Sequence, residues 1–226
     1  DVVAPSPEAA RCLRHRRTSR LPYDARHATT VARQRLHLVA ERHGHELRVE
    51  DDPARVRWLL KENAHAIIAN LQHGDERREL AQWVRVDAHT PEVGDGLWST
   101  PLGQPRWEIR AGFSAPWSFK LWGLSQLAVN RYVQTMGATP HVALLRGPFT
   151  TWPELVAAGR CLMDLWLELS AHDLYMHPFG STLTNPTYAD RIANFYGAGD
   201  GWLIFRFGHS APPPASPRLP LEEVMR

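Results

Sequence analysis

The chain has 226 residues, 43% of them apolar, so it can bury one sizeable core, and we expect a single domain over residues 1–226. Its 26 basic side chains nearly balance its 24 acidic ones, which argues against a nucleic-acid-binding protein. No apolar run reaches the roughly 18 residues of a membrane span, and the first residues do not resemble a signal peptide. We therefore expect a cytoplasmic protein that binds neither nucleic acid nor membrane.

The first distinctive feature along the chain is a basic cluster at residues 15–20. Arg16, Arg17 and Arg20 occur together with Thr18 and Ser19, shortly before a proline. Guanidinium groups present a planar fork of donors that matches phosphate oxygens, and hydroxyl groups supply further donors. The pattern predicts either a phosphate-binding segment or a solvated basic turn.

Residues 29–86 show helical and extended patterns in turn. The predicted elements are a helix over 29–42, a strand over 45–50 and helices over 53–70 and 76–86. Asp52 and Pro53 favour the start of the second helix, since one can cap it and the other fits its first turn. We expect Gly74 and Asp75 to separate the second helix from the third.

Residues 87–120 contain four prolines and four glycines, which interrupt every periodicity. We predict a long structured loop over this range. Loops of this length in a compact chain are usually functional lids or disordered, and this one could be a lid, a partner surface or a covering of the core. Trp98, Trp107 and Trp117 indicate that it is ordered against another surface, because disordered segments are poor in aromatic residues.

The remaining chain alternates strands and helices. We predict strands over 141–145, 174–180 and 201–208, helices over 155–169 and 186–196, and an extended proline-rich tail over 211–220. Helix 155–169 has little polar surface, so we expect it to be central and mostly covered, with Thr151 as its cap. Gly159 inside it predicts close approach of another backbone. The pattern favours an α+β layer architecture.

Three motifs in this order resemble the nitroreductase family of FMN-binding flavoproteins. Arg16-Arg17-Thr18-Ser19-Arg20 is similar to the family's Arg-x-Ser/Thr-x-Arg/Lys signature, and residues 158–167 are similar to its Ala-Gly helix. Residues 205–221 are similar to its closing strand, proline-rich link and Arg before Leu-Pro. The resemblance implies an α+β, nitroreductase-like fold with a central, mostly antiparallel sheet flanked by helices, and FMN as the cofactor.

Several details look most like the Acg-type nitroreductase-like proteins, chiefly their second half. They are the runs 79–85 and 95–97 and the ending 203–209 with 216–218. The full chains of that branch are built like two fused nitroreductase protomers with one cofactor site degraded.

The resemblance assigns the basic cluster to FMN. Arg16 and Thr18 would hold the phosphate, and Arg218 would close on it from the other end of the chain. Arg17 would lie along the ribityl or pyrimidine edge. Arg20 would approach the N1/O2 edge of the isoalloxazine, where a cation stabilises the anionic reduced flavin. No residue is assigned as catalytic.

A second group, His177-Pro178-Phe179-Gly180, stands where family members place backbone donors and a packing proline near the flavin N5. The family's common Glu-Gly pair is not reproduced there. Its Asn after the first helix also has no clean match, and Asn63 is a poor substitute. These departures leave pyrimidine recognition and substrate access unassigned.

The resemblance implies an FMN-dependent oxidoreductase that transfers hydride from NAD(P)H through the flavin to a small organic acceptor. It also implies a homodimer or a heterodimer with a related chain. The departures leave open a non-catalytic FMN-binding or FMN-sequestering protein, and a subunit paired with a paralogue. The twelve histidines lack the HExxH and Cys/His spacings of metal sites, so we predict no metal centre.

Overall fold

The protein is described by a computed structural model, which covers residues 6–86, 96–98, 102, 105–121, 123–215 and 221–225. A four-stranded antiparallel sheet lies at its centre. Its strands are β1 (Glu46–Glu50), β4 (His141–Arg146), β5 (Tyr175–Pro178) and β6 (Gly201–Gly208), in the spatial order β1-β4-β6-β5. Two short strands, β2 (Val84–Arg85) and β3 (Leu97–Trp98), pair in parallel outside this sheet.

Helices pack on both faces of the sheet, so the α+β prediction is confirmed. The α-helices are α1 (Pro7–His15), α2 (Thr30–Arg42), α3 (Pro53–Gln72), α4 (Gly74–Trp83), α5 (Arg106–Ser114), α6 (Leu124–Met136), α7 (Trp152–Ala171), α8 (Gly180–Thr184), α9 (Pro186–Tyr196) and α10 (Leu221–Val224), and Pro116–Lys120 forms a 3₁₀ turn. No helix in the described part of the chain is long and apolar enough to cross a membrane.

The two faces of the sheet bury separate apolar clusters. On one face, α2 and α7 pack against β6 through Leu36, Leu165 and Phe205, all fully buried. On the other face, α3 and α6 pack through Leu59 and Val133 against strand residues of β4 and β6. Full burial of one such side chain contributes about 1.5–3 kcal/mol.

The predicted starts of α2 and α3 are confirmed, and each has a local cause. The Thr29 hydroxyl accepts a hydrogen bond from the backbone amide of Ala32, and Asp52 accepts one from Arg55. These side chains satisfy amides that the first turn of a helix leaves without partners. The strand between the two helices is also confirmed.

The third helix begins earlier and ends earlier than predicted. Gly74 is its first residue rather than a break, because His73 is already extended and ends α3. Asp75 and Glu76 then occupy the first turn of α4, where acidic groups favour the positive end of the helix dipole. Val84 and Arg85 leave the helix and form β2.

The prediction of a long loop over 87–120 is wrong for part of that range. Residues 106–114 form helix α5, with Pro105 before its first residue and Glu108 in its first turn. The prolines bracket this helix rather than interrupt it. Residues 87–95, 99–101 and 103–104 lie outside the described residues, and a role as a lid stays a prediction.

The later strands and helices follow the prediction closely, and α9 and β6 have the predicted bounds. Thr151 and Glu154 form the capping box that starts α7. We made no prediction for Leu124–Met136, which is helix α6.

The expectation that helix α7 is mostly covered is wrong within this chain. Its side away from the sheet leaves Trp152 82%, Val156 54% and Met163 39% exposed. Gly159 lies on the same helix, and a side chain placed there would meet nothing within 4 Å. No backbone among the described residues therefore explains that glycine.

Candidate functional site

The segment after α1 runs along the outer edge of the sheet. Thr18 forms a parallel bridge with Met176 of β5, and the Ser19 amide donates to the Met176 carbonyl over 3.0 Å. The two residue groups singled out in the sequence, Arg16–Arg20 and His177–Gly180, are therefore neighbours. Arg16, Arg17, Thr18 and Arg20 are all partly buried.

The same segment also contacts the C-terminal tail. Arg17 Nη1 donates to the Pro213 carbonyl over 2.9 Å, and the hydroxyls of Ser19 and Ser210 lie 2.8 Å apart. The two ends of the chain thus meet at the basic cluster. Arg218 lies outside the described residues, and the tail before it passes this point.

Arg16 follows the last residue of α1 and lies against α7. Its guanidinium sits over the Trp166 indole at 4.4 Å from the ring centroid. A cation over an aromatic face is attracted by the negative charge density of the ring. This contact fixes where the first arginine of the cluster lies.

Arg206 is the most unusual side chain near the cluster, because it is charged and 0% exposed. It projects from β6 to the side of the sheet that carries Val142 and His177, its direct neighbours across the ladder. Nη2 donates to the carbonyls of Leu21 (2.9 Å) and Ser19 (3.3 Å).

Two more contacts complete the surroundings of Arg206. Its Nη1 donates to the Thr139 hydroxyl over 3.4 Å, and its guanidinium lies over the Tyr23 ring at 4.1 Å from the centroid. Burial of a charge costs several kcal/mol unless hydrogen bonds offset it. Arg206 offsets that cost mainly with carbonyls of the N-terminal segment and so fastens it to the sheet.

His177 lies beside Arg206 on β5. Arg206 Nε is 3.1 Å from His177 Nδ1. Burial, followed by the charges of Arg206 and Arg20, lowers the pKa of His177 well below its ordinary value. The ring is therefore neutral at physiological pH.

The rest of the second group also has defined positions. Phe179 is buried edge-on to the His177 ring, and its amide donates to the Ile204 carbonyl over 2.8 Å. Pro178 is partly buried. Gly180 is exposed at the start of α8, and a side chain there would meet nothing within 4 Å.

Positive charge accumulates at this edge of the sheet. Burial and then the charge of Arg206 lower the pKa of Arg20 from its ordinary value. Among the described residues, neither Arg20 nor Arg206 has a carboxylate partner, although many other arginines of the chain do. The arrangement is suited to an anionic ligand.

A second polar chain lies on the same side of the sheet. The Thr182 hydroxyl donates to Asn63 Oδ1 over 3.0 Å, and Asn63 Nδ2 donates to the Tyr132 hydroxyl over 2.8 Å. Both ends of the Asn63 amide thus have partners within the protein. The expectation that Asn63 is a poor substitute for the family's Asn stays a prediction.

One other cluster has metal-ligand chemistry, formed by His27, Asp51 and His141, whose candidate ligand atoms lie within 4.8 Å of one another. His141 Nε2 accepts a hydrogen bond from the Ala28 amide over 3.0 Å, so its proton is on Nδ1. Neither nitrogen of His141 then has a free lone pair for a metal ion. Asp51 is also paired with Arg33 over 2.9 Å. The cluster is better explained by these contacts.

Sequence reasoning missed Arg206 as a site residue. The available signal was a charged side chain inside an otherwise apolar strand bounded by glycines. The Tyr132 and Thr182 network had no comparable signal.

Comparison with solved structures gives one consistent result. The chain superposes on the FMN-dependent nitroreductase NfnB from Mycobacterium smegmatis in complex with NADPH with a TM-score of 0.55 and 20% identity, covering 97% of each chain. A nitroreductase with bound FMN from Desulfitobacterium hafniense gives a TM-score of 0.53 and 12% identity, and the match covers 97% of each chain. The chain has the nitroreductase fold. A nitroreductase with bound FMN from Bacteroides fragilis gives 0.54 and 9% identity, covering 96% of this chain and 95% of that one.

The nitroreductase fold is thus found at low sequence identity. No protein-family model and no curated protein matches the sequence. The structural match covers nearly the whole chain, so it includes the sheet and the helices on both of its faces. This confirms the predicted fold.

Proposed function

We propose that the chain is a nitroreductase-family FMN flavoprotein that oxidises NAD(P)H and reduces a small organic acceptor. The observation that carries this proposal is the positive edge of the sheet, where Arg20 and Arg206 lie without a described carboxylate beside the open position at Gly180. FMN is named as bound in several solved structures of the same fold. When bound, it would supply the hydride-transfer chemistry.

The residues of the N-terminal segment fit a phosphate-bearing cofactor. Arg16 and Thr18 would hold the phosphate, with Arg218 closing on it, and Arg17 has further N–H donors besides the one on Pro213. Arg20 would neutralise negative charge on the reduced isoalloxazine. His177, Pro178, Phe179 and Gly180 would line its other side.

We also propose that the protein acts as a dimer, either of two copies or with a related chain. The exposed apolar side of α7, with Trp152, Val156 and Met163, supports this because such a stripe favours burial against a partner. The open position at Gly159 would let a partner helix approach closely. The resemblance to the second half of Acg-type proteins makes a related partner chain one of the two options.

The experiment is an absorbance spectrum of the purified chain after incubation with FMN and removal of free flavin, followed by anaerobic addition of NADPH or NADH. We expect one FMN per chain and loss of the flavin absorbance with at least one of the two. Arg16→Ala and Arg218→Ala should each lose flavin, whereas Arg14→Ala, an exposed residue of α1, should not.

Two results would favour the alternatives. Bound flavin that dithionite reduces but neither nicotinamide does would indicate an FMN-sequestering protein. A colourless chain after incubation would contradict FMN binding and favour a subunit that supports a paralogue.

A further inference from the structure

The contact between Arg206 and His177 fixes where the proton of the imidazole sits. The two residues face each other across β6 and β5, and Arg206 Nε lies 3.1 Å from His177 Nδ1. A guanidinium group has N–H donors and no acceptor, so Nδ1 must accept. The single proton of the neutral ring is then on Nε2.

The same contact opposes protonation of His177. A second proton on Nδ1 would point at the Arg206 N–H and break the hydrogen bond. Arg20 on the N-terminal segment adds a further positive charge, and no described carboxylate acts on the ring. The other titratable groups beside Arg206 are the phenols of Tyr23 and Tyr132, whose pKa values are raised first by burial.

Arg206 cannot itself be the group that meets a ligand. It is fully buried, and three of its four Nη hydrogens go to Thr139 and to the carbonyls of Ser19 and Leu21. Any effect on a ligand must pass through His177 or through the N-terminal segment that it holds. It is a positioning residue.

We propose that Arg206 holds His177 as an uncharged ring whose Nε2–H donates to an acceptor atom of the isoalloxazine of FMN, beside Arg20. The partner of this donor rests on the function proposed above, whereas the tautomer rests only on the contacts within the chain. The isoalloxazine has ring nitrogens and carbonyl oxygens that accept such a bond. A donor that does not titrate holds the cofactor equally well across physiological pH.

The tautomer can be tested in the protein without FMN. Two-bond proton–nitrogen NMR spectra of the histidine rings, assigned with His177→Gln, should show His177 as the neutral Nε2–H form from pH 5.5 to 8. In Arg206→Met the loss of that charge should raise the pKa of His177 relative to the wild type, while burial and Arg20 still lower it. A wild-type His177 that carries its proton on Nδ1, or that titrates in this range, overturns the proposal.

The donor role can be tested by FMN titration. His177→Gln places an amide N–H near the position of Nε2, so its dissociation constant should stay within about threefold of the wild type. His177→Leu should weaken binding about tenfold, the usual effect of one lost hydrogen bond. Equal affinities for these two variants would overturn the donor role.

The pH profile separates positioning from a purely structural role. The FMN phosphate titrates in every variant, so the informative quantity is the ratio of the dissociation constants of Arg206→Met and wild type. This ratio should change between pH 5.5 and 8, because the freed ring takes up a proton more readily in the variant. A constant ratio contradicts the proposal.

Failure of this inference and failure of the proposed function give different results. Absence of FMN binding by the wild type would remove the function and the donor role, while the NMR spectra would still decide the tautomer. If the wild type binds FMN but its His177 titrates between pH 5.5 and 8, the proposed function stands and this inference is overturned. If Arg206→Met does not fold, the wild-type spectra and the two His177 variants still decide it.

Discussion

Successive side chains of β6 point to opposite faces of the central sheet, and the two faces surround them differently. Phe205 and Phe207 of β6 point into an apolar cluster with α2 and α7, where packing alone supplies stability. Arg206, between them, points to the other face and is held by His177 and by carbonyls of the N-terminal segment. Both faces bury apolar clusters, and the second face also holds the costly buried charge of Arg206 beside the proposed cofactor site.

The largest expected effect comes from the apolar face. Phe205→Ala removes a fully buried ring and leaves a cavity, so the free energy of unfolding should fall by about 3–5 kcal/mol in urea titrations. FMN affinity should stay unchanged under conditions where the variant is folded. A loss below about 1 kcal/mol, or a large loss of affinity in the folded variant, would contradict the division between the faces.

The second prediction concerns pH at the edge of the apolar face, where the His141 ring stacks on Phe207. Burial, followed by the charges of His27 and Arg33, lowers the pKa of His141 to about 4. Between pH 6.5 and 4 the unfolded chain binds a proton that the folded chain does not, so stability should fall as pH falls. The free energy of unfolding should fall by about 3 kcal/mol over this pH range, at about 1.4 kcal/mol per pH unit.

The check for His141 is the urea midpoint at several pH values for the wild type and His141→Gln. The variant should lose part of the slope between pH 6.5 and 4, and His177, His45 and His65, whose pKa values burial also lowers, should contribute to the remainder. An unchanged slope in His141→Gln would show that this histidine is not the group that titrates.

A third prediction concerns the outer side of the helix that covers the apolar face. Val156→Glu places a charge on the exposed stripe of α7, which should raise the dissociation constant of the proposed dimer by at least about 100-fold, since an unpaired charge buried in an interface costs several kcal/mol. Leu127→Glu, at a similarly exposed apolar position of α6 on the other face of the sheet, is a control for the charge itself. Sedimentation that shows dimers of Val156→Glu at the wild-type concentration would place the interface elsewhere.

Local signals in the sequence predicted most of the fold. Caps such as Thr29 and Asp52, and the capping box at Thr151, mark helix starts that need no long-range information. Helix α5 was missed because Pro105 and Pro116 bracket it and resemble the punctuation of a loop. The exposed side of α7 was not predicted because an apolar surface that is exposed within one chain has the same residue pattern as one that faces the core.

The site was predicted only in part. The motifs marked Arg16–Arg20 and His177–Gly180, yet only the fold shows that Thr18 and Met176 are neighbours. Arg206 was missed because its contacts with Ser19 and Leu21 span more than 180 residues, and no local pattern encodes such a contact. The assignment of these residues to FMN stays a prediction.

The most direct test of the FMN site is a substitution that fills it without disturbing the chain. A side chain at Gly180 would meet nothing within 4 Å, and the same is true of Gly199 in an exposed loop away from the site. FMN titration, followed by quenching of flavin fluorescence, should show saturation at one FMN per chain for the wild type and Gly199→Leu and no saturation for Gly180→Leu. The thermal midpoint of Gly180→Leu should not fall, because leucine favours a helix more than glycine does. Wild-type affinity in Gly180→Leu would contradict a cofactor site at this edge of the sheet.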